Sequence, residues 1–119
     1  MIKKARAGDP LRVIDDIRMS PTYTRDAADL IRTVIAEQRP YGVYHVTNTG
    51  QCSWYEFAAA IFRLMGLKVD LSPISSTEFA QKAKRPSNSA LMSSKLNGLS
   101  VRPWEEALGA YLKEKGHLS

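Results

Sequence analysis

Apolar residues recur at helical spacing in three stretches of the chain, and each stretch follows a recognisable start signal. Thr24 can cap the first stretch, a capping box of Ser53 and Glu56 opens the second, and Pro103 suits the first turn of the third. The predicted apolar faces are, in chain order, Ala27, Leu30, Ile31, Val34 and Ile35; Phe57, Ile61 and Leu64; and Trp104, Ala107, Leu108, Tyr111 and Leu112.

Between these helices lie three short runs rich in β-branched and aromatic residues, at positions 11–15, 42–47 and 69–74, which we predict to be strands. A second capping box from Ser75 indicates a brief further helix to about Ala83. Strands that alternate with helices indicate an α/β fold with parallel pairing. Three short strands form only a partial sheet for three main amphipathic helices, because parallel sheets are normally covered on both faces. We therefore expect the isolated chain to self-associate, to exchange elements between copies, or to be only marginally stable.

The composition is that of an ordinary globular chain. Its 119 residues suit a single unit spanning 1–119, and 44% hydrophobic with 24% charged residues exclude a disordered tail. No apolar run approaches the ~20 residues that cross a bilayer, so no membrane partner is predicted. Since the basic N-terminus lacks the apolar core of a secretory signal and Cys52 is the only cysteine, we expect a cytoplasmic location.

The net charge of +5 raises the question of an anionic partner. The 17 Lys and Arg residues are scattered and do not alternate with aromatic residues, so we predict no nucleic-acid binding. A small basic nucleic-acid module stays open as the weakest alternative. An anionic small molecule with a pyrophosphate would use the same surplus of positive charge in one pocket.

Four groups of residues carry a family resemblance that covers nearly the whole chain. They are residues 12–16 with 20–28, residues 42–48, residues 53–58, and residues 85–89 with 94–96 and 103–104. In this order and spacing they resemble the C-terminal part of dTDP-4-dehydrorhamnose reductases, in the extended short-chain dehydrogenase superfamily. Ile17 and Met19 stand where that family often has Gln and Gly, and Met92 where it often has Asp. These departures affect the prediction of the exact sugar substrate and not that of the family.

The resemblance implies a reaction and a missing partner. The reaction is reduction of the C4 ketone of dTDP-4-dehydrorhamnose by NADPH or NADH, which gives dTDP-L-rhamnose. In the family, the NAD(P)-binding half with its glycine-rich turn and catalytic pair precedes this part, and the seven glycines here form no such turn. We therefore expect a C-terminal, substrate-side part of a Rossmann-type reductase that binds a dTDP-sugar, binds no cofactor, supplies no catalytic residue and is inactive alone.

Two other readings stay open within the same superfamily. One is a non-catalytic binding subunit that resembles the regulatory β subunit of methionine adenosyltransferase. The other is a different sugar-nucleotide reductase or epimerase.

Arg85 is the first candidate for a substrate contact, because a planar guanidinium can clamp phosphate oxygens and Pro86 restricts its backbone. Related dehydrogenases place an arginine near this point against the substrate pyrophosphate. Asn88 and Ser89 are candidates for further hydrogen bonds to nucleotide or sugar, and Arg18 for a second anion contact if its loop borders the pocket. Each also has a plain reading as a surface or turn residue.

Other polar residues are predicted to be structural. Tyr111 and Lys115 have the spacing of the family's catalytic pair, yet Tyr111 belongs to the apolar stripe of the last helix. Asp15 and Asp16 are expected to be capping or surface groups, because neighbouring strand residues face opposite ways. His45 is expected to pack within its strand, and nothing marks Cys52 as a nucleophile. Two histidines and one cysteine exclude a His- or Cys-based metal cluster.

Overall fold

The computed structural model of the chain describes residues 1–78 and 85–118. It is a mixed α/β structure, as predicted. The elements are α1 (Ile2–Arg6), β1 (Leu11–Ile14), β2 (Arg18–Met19), α2 (Thr24–Ala36), β3 (Cys52–Ser53), α3 (Trp54–Leu64), β4 (Leu71–Ile74) and α4 (Trp104–Glu114). Within these residues, no helix is long and apolar enough to cross a membrane.

The strands form two small sheets. β1 pairs in parallel with β4, from Leu11 opposite Leu71 to Ile14 opposite Ile74, and β2 pairs antiparallel with β3. The strand predictions at 11–15 and 69–74 and the parallel pairing are thereby confirmed. The two-residue strands of the second sheet, like the short α1, were not predicted, because so few residues carry no periodic pattern.

The strand predicted at 42–47 is not formed. Its β-rich composition is real, but a strand exists only when a neighbour accepts its backbone hydrogen bonds, and no described strand lies alongside it. The segment ends instead in a short connection to the last helix: Thr49 N–H donates to Arg102 O at 3.1 Å, and Trp104 N–H donates to Thr49 O at 3.0 Å. At Gly50, with φ of 89°, a Cβ would lie 2.9 Å from Trp104 Cδ1, so this crossing requires glycine.

Helix α3 packs against β1 on one side and α4 on another to form the core. The capping box is present as predicted: Glu56 N–H donates to Ser53 Oγ at 3.0 Å, and Ser53 N–H donates to Glu56 Oε2 at 2.8 Å. α4 begins at Trp104, so Pro103 is its N-cap rather than its first helical residue. The buried core consists of Ala5, Leu11, Val13, Cys52, Ala58, Ala60, Ile61, Phe62, Trp104, Leu108 and Leu112.

Helix α2 forms where it was predicted but buries none of its side chains. Its N-cap is Tyr23, and no side chain caps it, so the predicted Thr24 cap is wrong. The brief helix expected from Ser75 to about Ala83 falls partly on residues 79–84, which lie outside the described residues. The part before them, residues 76–78, is a turn.

Candidate functional site

Strand β2 is the scaffold that brings three of the four predicted site residues together. On one side it pairs with β3, and on the other Arg18 forms a parallel bridge with Asn88. Arg18 N–H donates to Ser87 O at 2.8 Å, and Ser89 N–H donates to Arg18 O at 2.9 Å. Arg18, Asn88 and Ser89 therefore lie on adjacent backbone segments, although 70 residues or more of chain separate Arg18 from the other two.

The side chains of this segment differ in how free they are. Asn88 Oδ1 accepts a hydrogen bond from Ala90 N–H at 3.0 Å, and Ser89 Oγ donates to Arg18 O at 3.1 Å. Both groups thus stabilise the local backbone. Arg85 is exposed and forms no ion pair within residues 1–78 and 85–118. Of the four predicted residues, Arg85 has the side chain most available to an anion.

Arg18 is held at the start of α3 by an ion pair. Its Nη1 lies 2.7 Å from Glu56 Oε2, the same oxygen that accepts from Ser53 N–H, and its Nη2 donates to Gln51 O at 3.4 Å. The pair lines an open cleft of about 530 Å³ together with Arg63 and Tyr55. Because Glu56 neutralises much of its charge, Arg18 is a weaker anion contact than its position alone indicates.

A second polar cluster joins α2 to the segments that precede α3 and α4. Arg102 donates from Nε and Nη2 to the two oxygens of Asp26 at 2.8 and 2.6 Å. Asn48 is 1% exposed, donates to Asp26 Oδ2 at 2.7 Å and to Arg102 O at 3.2 Å, and accepts from Tyr23 N–H at 2.8 Å. The hydrogen bond from Arg102, with smaller help from Asn48, lowers the pKa of Asp26 below its ordinary value, while burial opposes the shift.

The sequence did not reveal this cluster. Asp26 and Asn48 occur in recognised segments, but Asn48 reads as a turn residue and Arg102 as one of many scattered arginines. Their pairing spans 76 residues, so no local spacing could have predicted it.

Asp15 and Asp16 are exposed, and Asp16 also caps a turn, in agreement with their prediction as capping or surface groups. Asp15 Oδ1 accepts from Ser53 Oγ at 2.5 Å, whereas Asp16 Oδ1 accepts from Ser76 N–H at 2.9 Å and its Oδ2 from Ser75 Oγ at 3.1 Å. Hydrogen bonds from Ser76 are the main cause of a lowered pKa at Asp16. The two carboxylates therefore bind different segments, Asp15 the N-cap residue of α3 and Asp16 the turn at Ser75 and Ser76. In the described residues, no group of three His, Cys, Asp or Glu side chains could hold a metal ion.

Tyr111, in α4, and Lys115, its C-cap residue, both contact neighbouring side chains. The Tyr111 ring meets the Tyr23 ring edge-on at 5.8 Å, and Lys115 Nζ pairs with Glu114 at 3.7 Å. Glu114 also accepts a hydrogen bond from the Tyr23 hydroxyl, which raises the pKa of Tyr23. This agrees with the structural interpretation of the Tyr111–Lys115 spacing.

Cys52 and His45 lie in opposite environments, one buried and the other exposed. Cys52 is 1% exposed, and burial raises the pKa of its thiol to about 12, so the thiol is protonated and unreactive at neutral pH. His45 is exposed and lies in no strand, so its prediction as a packed strand histidine is wrong for the same reason as the strand itself.

Comparison with known proteins matches this chain to one family along nearly its whole length. The family model described as "RmlD substrate binding domain" matches residues 1–116. The spore coat polysaccharide biosynthesis protein SpsK of Bacillus subtilis is 40% identical over 117 residues, which are 97% of this chain and 41% of that protein. A dTDP-4-dehydrorhamnose reductase of Streptomyces griseus is 34% identical over 91% of this chain and 38% of its own length.

Comparison with solved structures points to the same family. The dTDP-4-dehydrorhamnose reductase of Bacillus anthracis in complex with NADP has a TM-score of 0.87 at 39% identity, covering 95% of this chain and 41% of that one. The Clostridium acetobutylicum reductase has a TM-score of 0.89 at 39% identity, covering 97% and 42%. The chain thus spans about 40% of the length of the relatives it matches. Its sequence and its fold place it in the RmlD substrate-binding-domain family of dTDP-4-dehydrorhamnose reductases.

Proposed function

We propose that this chain binds the dTDP-sugar substrate of a dTDP-4-dehydrorhamnose reductase, in which NADPH or NADH reduces the C4 ketone to give dTDP-L-rhamnose. The observation that carries the proposal is the attachment of the 85–91 segment to β2, which leaves the Arg85 guanidinium exposed beside a fixed backbone. A cytoplasmic location is part of the proposal.

Arg85 is the main anion contact in this proposal. A pyrophosphate presents several acceptor oxygens, and a guanidinium can donate two parallel hydrogen bonds to them. The Asn88 amide nitrogen can still donate to the ligand, because only Oδ1 is used by Ala90 N–H within the described residues. Arg18 adds positive charge on the strand that borders this segment, reduced by its ion pair with Glu56.

The hydride donor belongs to a second unit. The chain has no glycine-rich turn between a strand and a helix, so its own residues do not fit a dinucleotide. When bound to a nucleotide-binding unit, NADPH or NADH supplies the hydride, while this chain supplies the groups that hold the sugar nucleotide. We propose that 1–119 acts as one such substrate-side unit.

The surface for that nucleotide-binding unit is the outer face of α2 with the segment 41–46. Ile35 is 70% exposed and Val43 is 73% exposed, and Tyr41 is fully exposed beside them in sequence. α2 packs extensively against no other described helix or strand. A parallel sheet in the partner would give the segment 43–46 the hydrogen-bonding neighbour it lacks here, and α2 would cover that sheet.

Nuclear magnetic resonance titration of the ¹⁵N-labelled chain with dTDP tests the binding part directly, because it measures dissociation constants into the millimolar range. We expect shifts in the amides of residues 18–20 and 85–91. Arg85→Ala should weaken binding about 10- to 150-fold, which corresponds to the ~1.5 to 3 kcal/mol of a charge-assisted hydrogen bond. Arg32→Ala, which removes an exposed arginine from α2, is the matched control for net charge.

Two results would overturn this proposal. One is the absence of any dTDP-dependent shift, which would favour the alternative of a non-catalytic binding subunit. The other is equal affinity of wild type and Arg85→Ala. The purified chain should also fail to oxidise NADPH or NADH with dTDP-4-dehydrorhamnose, and turnover above background would contradict the division of labour proposed here.

A further inference from the structure

The segment that carries Arg85 is bonded to β2 through Ser87 O, which accepts from Arg18 N–H, and at two further points that involve serine hydroxyls. At the first, Ser89 N–H and Ser89 Oγ both donate to Arg18 O, at 2.9 and 3.1 Å. At the second, Ser20 Oγ accepts from Leu91 N–H at 3.0 Å and donates to Leu91 O at 3.2 Å. Two serine hydroxyls therefore fix the backbone of residues 89–91.

The Ser20 contact is specific to a hydroxyl. A single oxygen serves as acceptor for the amide and as donor to the carbonyl of the same residue, and only a group with both capacities can do this. Ser20 lies two positions after Arg18, so the two attachments follow one another along the same direction of chain. Alanine at position 20 would remove both bonds of the second attachment and leave the first intact.

Fixing this backbone matters for an arginine that must meet a phosphate. Ordering a mobile segment on binding costs free energy, and a segment that is already ordered avoids much of that cost. Arg85 lies only two residues before Ser87, whose carbonyl accepts from Arg18 N–H. Pro86, between them, has a fixed φ and also restricts the backbone of Arg85. The attachments thus limit where the guanidinium can be before a ligand arrives.

We propose that Ser20 and Ser89 are positioning residues, which hold the Arg85 segment ready for the pyrophosphate and do not themselves contact it. This inference rests on the proposed function. It gives Ser89 a different role from the ligand contact expected from the sequence, and it assigns a role to Ser20, which the sequence alone did not single out.

The test compares wild type with three variants by their affinities for dTDP and for thymidine, which lacks the pyrophosphate, in the same titration. Ser20→Ala should weaken dTDP binding about 2- to 10-fold, as expected for one segment newly ordered on binding, and leave thymidine binding unchanged. Ser20→Thr keeps the hydroxyl, so its dTDP affinity should lie within about twofold of that of wild type. Ser100→Ala, at an exposed serine, should match wild type.

Amide hydrogen exchange gives a readout on the attachment itself. In Ser20→Ala the Leu91 amide should exchange faster than in wild type, while amides of α3 keep their protection. If Ser20→Ala does not fold, as judged by a thermal melt, Ser89→Ala removes only the bond from Oγ to Arg18 O and should shift dTDP affinity in the same direction by less.

The outcomes separate this inference from the function on which it rests. Weakened dTDP binding by Arg85→Ala together with wild-type affinity in Ser20→Ala and Ser89→Ala would overturn the positioning role and leave the function standing. Equal losses for dTDP and thymidine would also overturn it, because they would show general damage to the site. No dTDP binding by wild type would overturn both.

Discussion

Helices α2 and α3 are both amphipathic, yet only α3 packs into the core. α3 buries Ala58, Ala60, Ile61 and Phe62 against β1 and α4, whereas no side chain of α2 is fully buried. Leu30 and Val34 of the apolar stripe of α2 are half-buried, whereas Ile35 is exposed. The helix lies close in sequence to a segment, 41–46, that has no strand partner among the described residues. An apolar stripe thus predicts that a helix will pack, but it does not say that the partner lies within the same chain.

The two regions are also held by different forces. The core around α3 is apolar and is sealed by side chains such as Leu112, which is 0% exposed. α2 is attached near its first turn through Asp26, Asn48 and Arg102, by hydrogen bonds that depend on charge. Apolar burial is insensitive to pH, whereas an ion pair is lost when its carboxylate is protonated.

The largest effect expected from this comparison is on core stability. Leu112→Ala should lower the free energy of unfolding by about 2 to 5 kcal/mol, because it leaves a cavity in a fully packed site. Ile35→Ala, the matched aliphatic truncation on α2, should change it by less than about 0.5 kcal/mol. Urea unfolding followed by circular dichroism measures both. Similar losses for the two variants would show that α2 packs into the core after all.

A smaller effect is expected at the polar attachment of α2. Asp26→Asn should lower the free energy of unfolding by about 1 to 3 kcal/mol at pH 7, because a charged partner of Arg102 is replaced by a neutral one. Asp29→Asn, which removes an exposed carboxylate from the same helix, should cost less than about 0.5 kcal/mol. Unfolding in urea again measures the difference.

The pH dependence sharpens this second test. Because the pKa of Asp26 is lowered by folding, its contribution is fully present above the ordinary aspartate pKa of 3.8 and is lost as the pH falls through the lowered value. The stability difference between wild type and Asp26→Asn should therefore narrow on acidification from pH 7 towards pH 3. A difference that stays constant over this range would exclude the ion pair as its cause.

Substitutions on the exposed face of α2 should have the smallest effect on stability but a clear effect on self-association of the chain. Without a partner to cover α2 and residues 41–46, we predict that the isolated chain self-associates as its concentration rises. Ile35→Glu should reduce the mass measured by light scattering after size exclusion and leave the thermal melt nearly unchanged. Ala36→Glu adds the same charge one position away and should disturb association less. A cooperative wild-type monomer at high concentration would contradict this prediction.

Local patterns were enough to predict the parts of the fold that depend on neighbours in sequence. Apolar periodicity predicted α2, α3 and α4, and the spacing of Ser53 and Glu56 predicted the capping box, because a helix and its cap are formed by residues within one or two turns. The resemblance predicted the family, and side-chain chemistry marked Arg85, Asn88, Ser89 and Arg18 as candidates, whose roles stay predictions.

Only the tertiary structure decided which segments meet. Residues 42–47 have the composition of a strand, yet strand formation requires a neighbour, and residues 1–78 and 85–118 supply none. The pairing of Ser20 with Leu91, and of Asp26 with Arg102, joins residues more than 70 positions apart and leaves no periodic trace in the sequence. Sequence by itself therefore determined the helices, the family and the candidate arginine. The arrangement that holds the arginine's segment depends on long-range contacts, which exist only once the chain has folded.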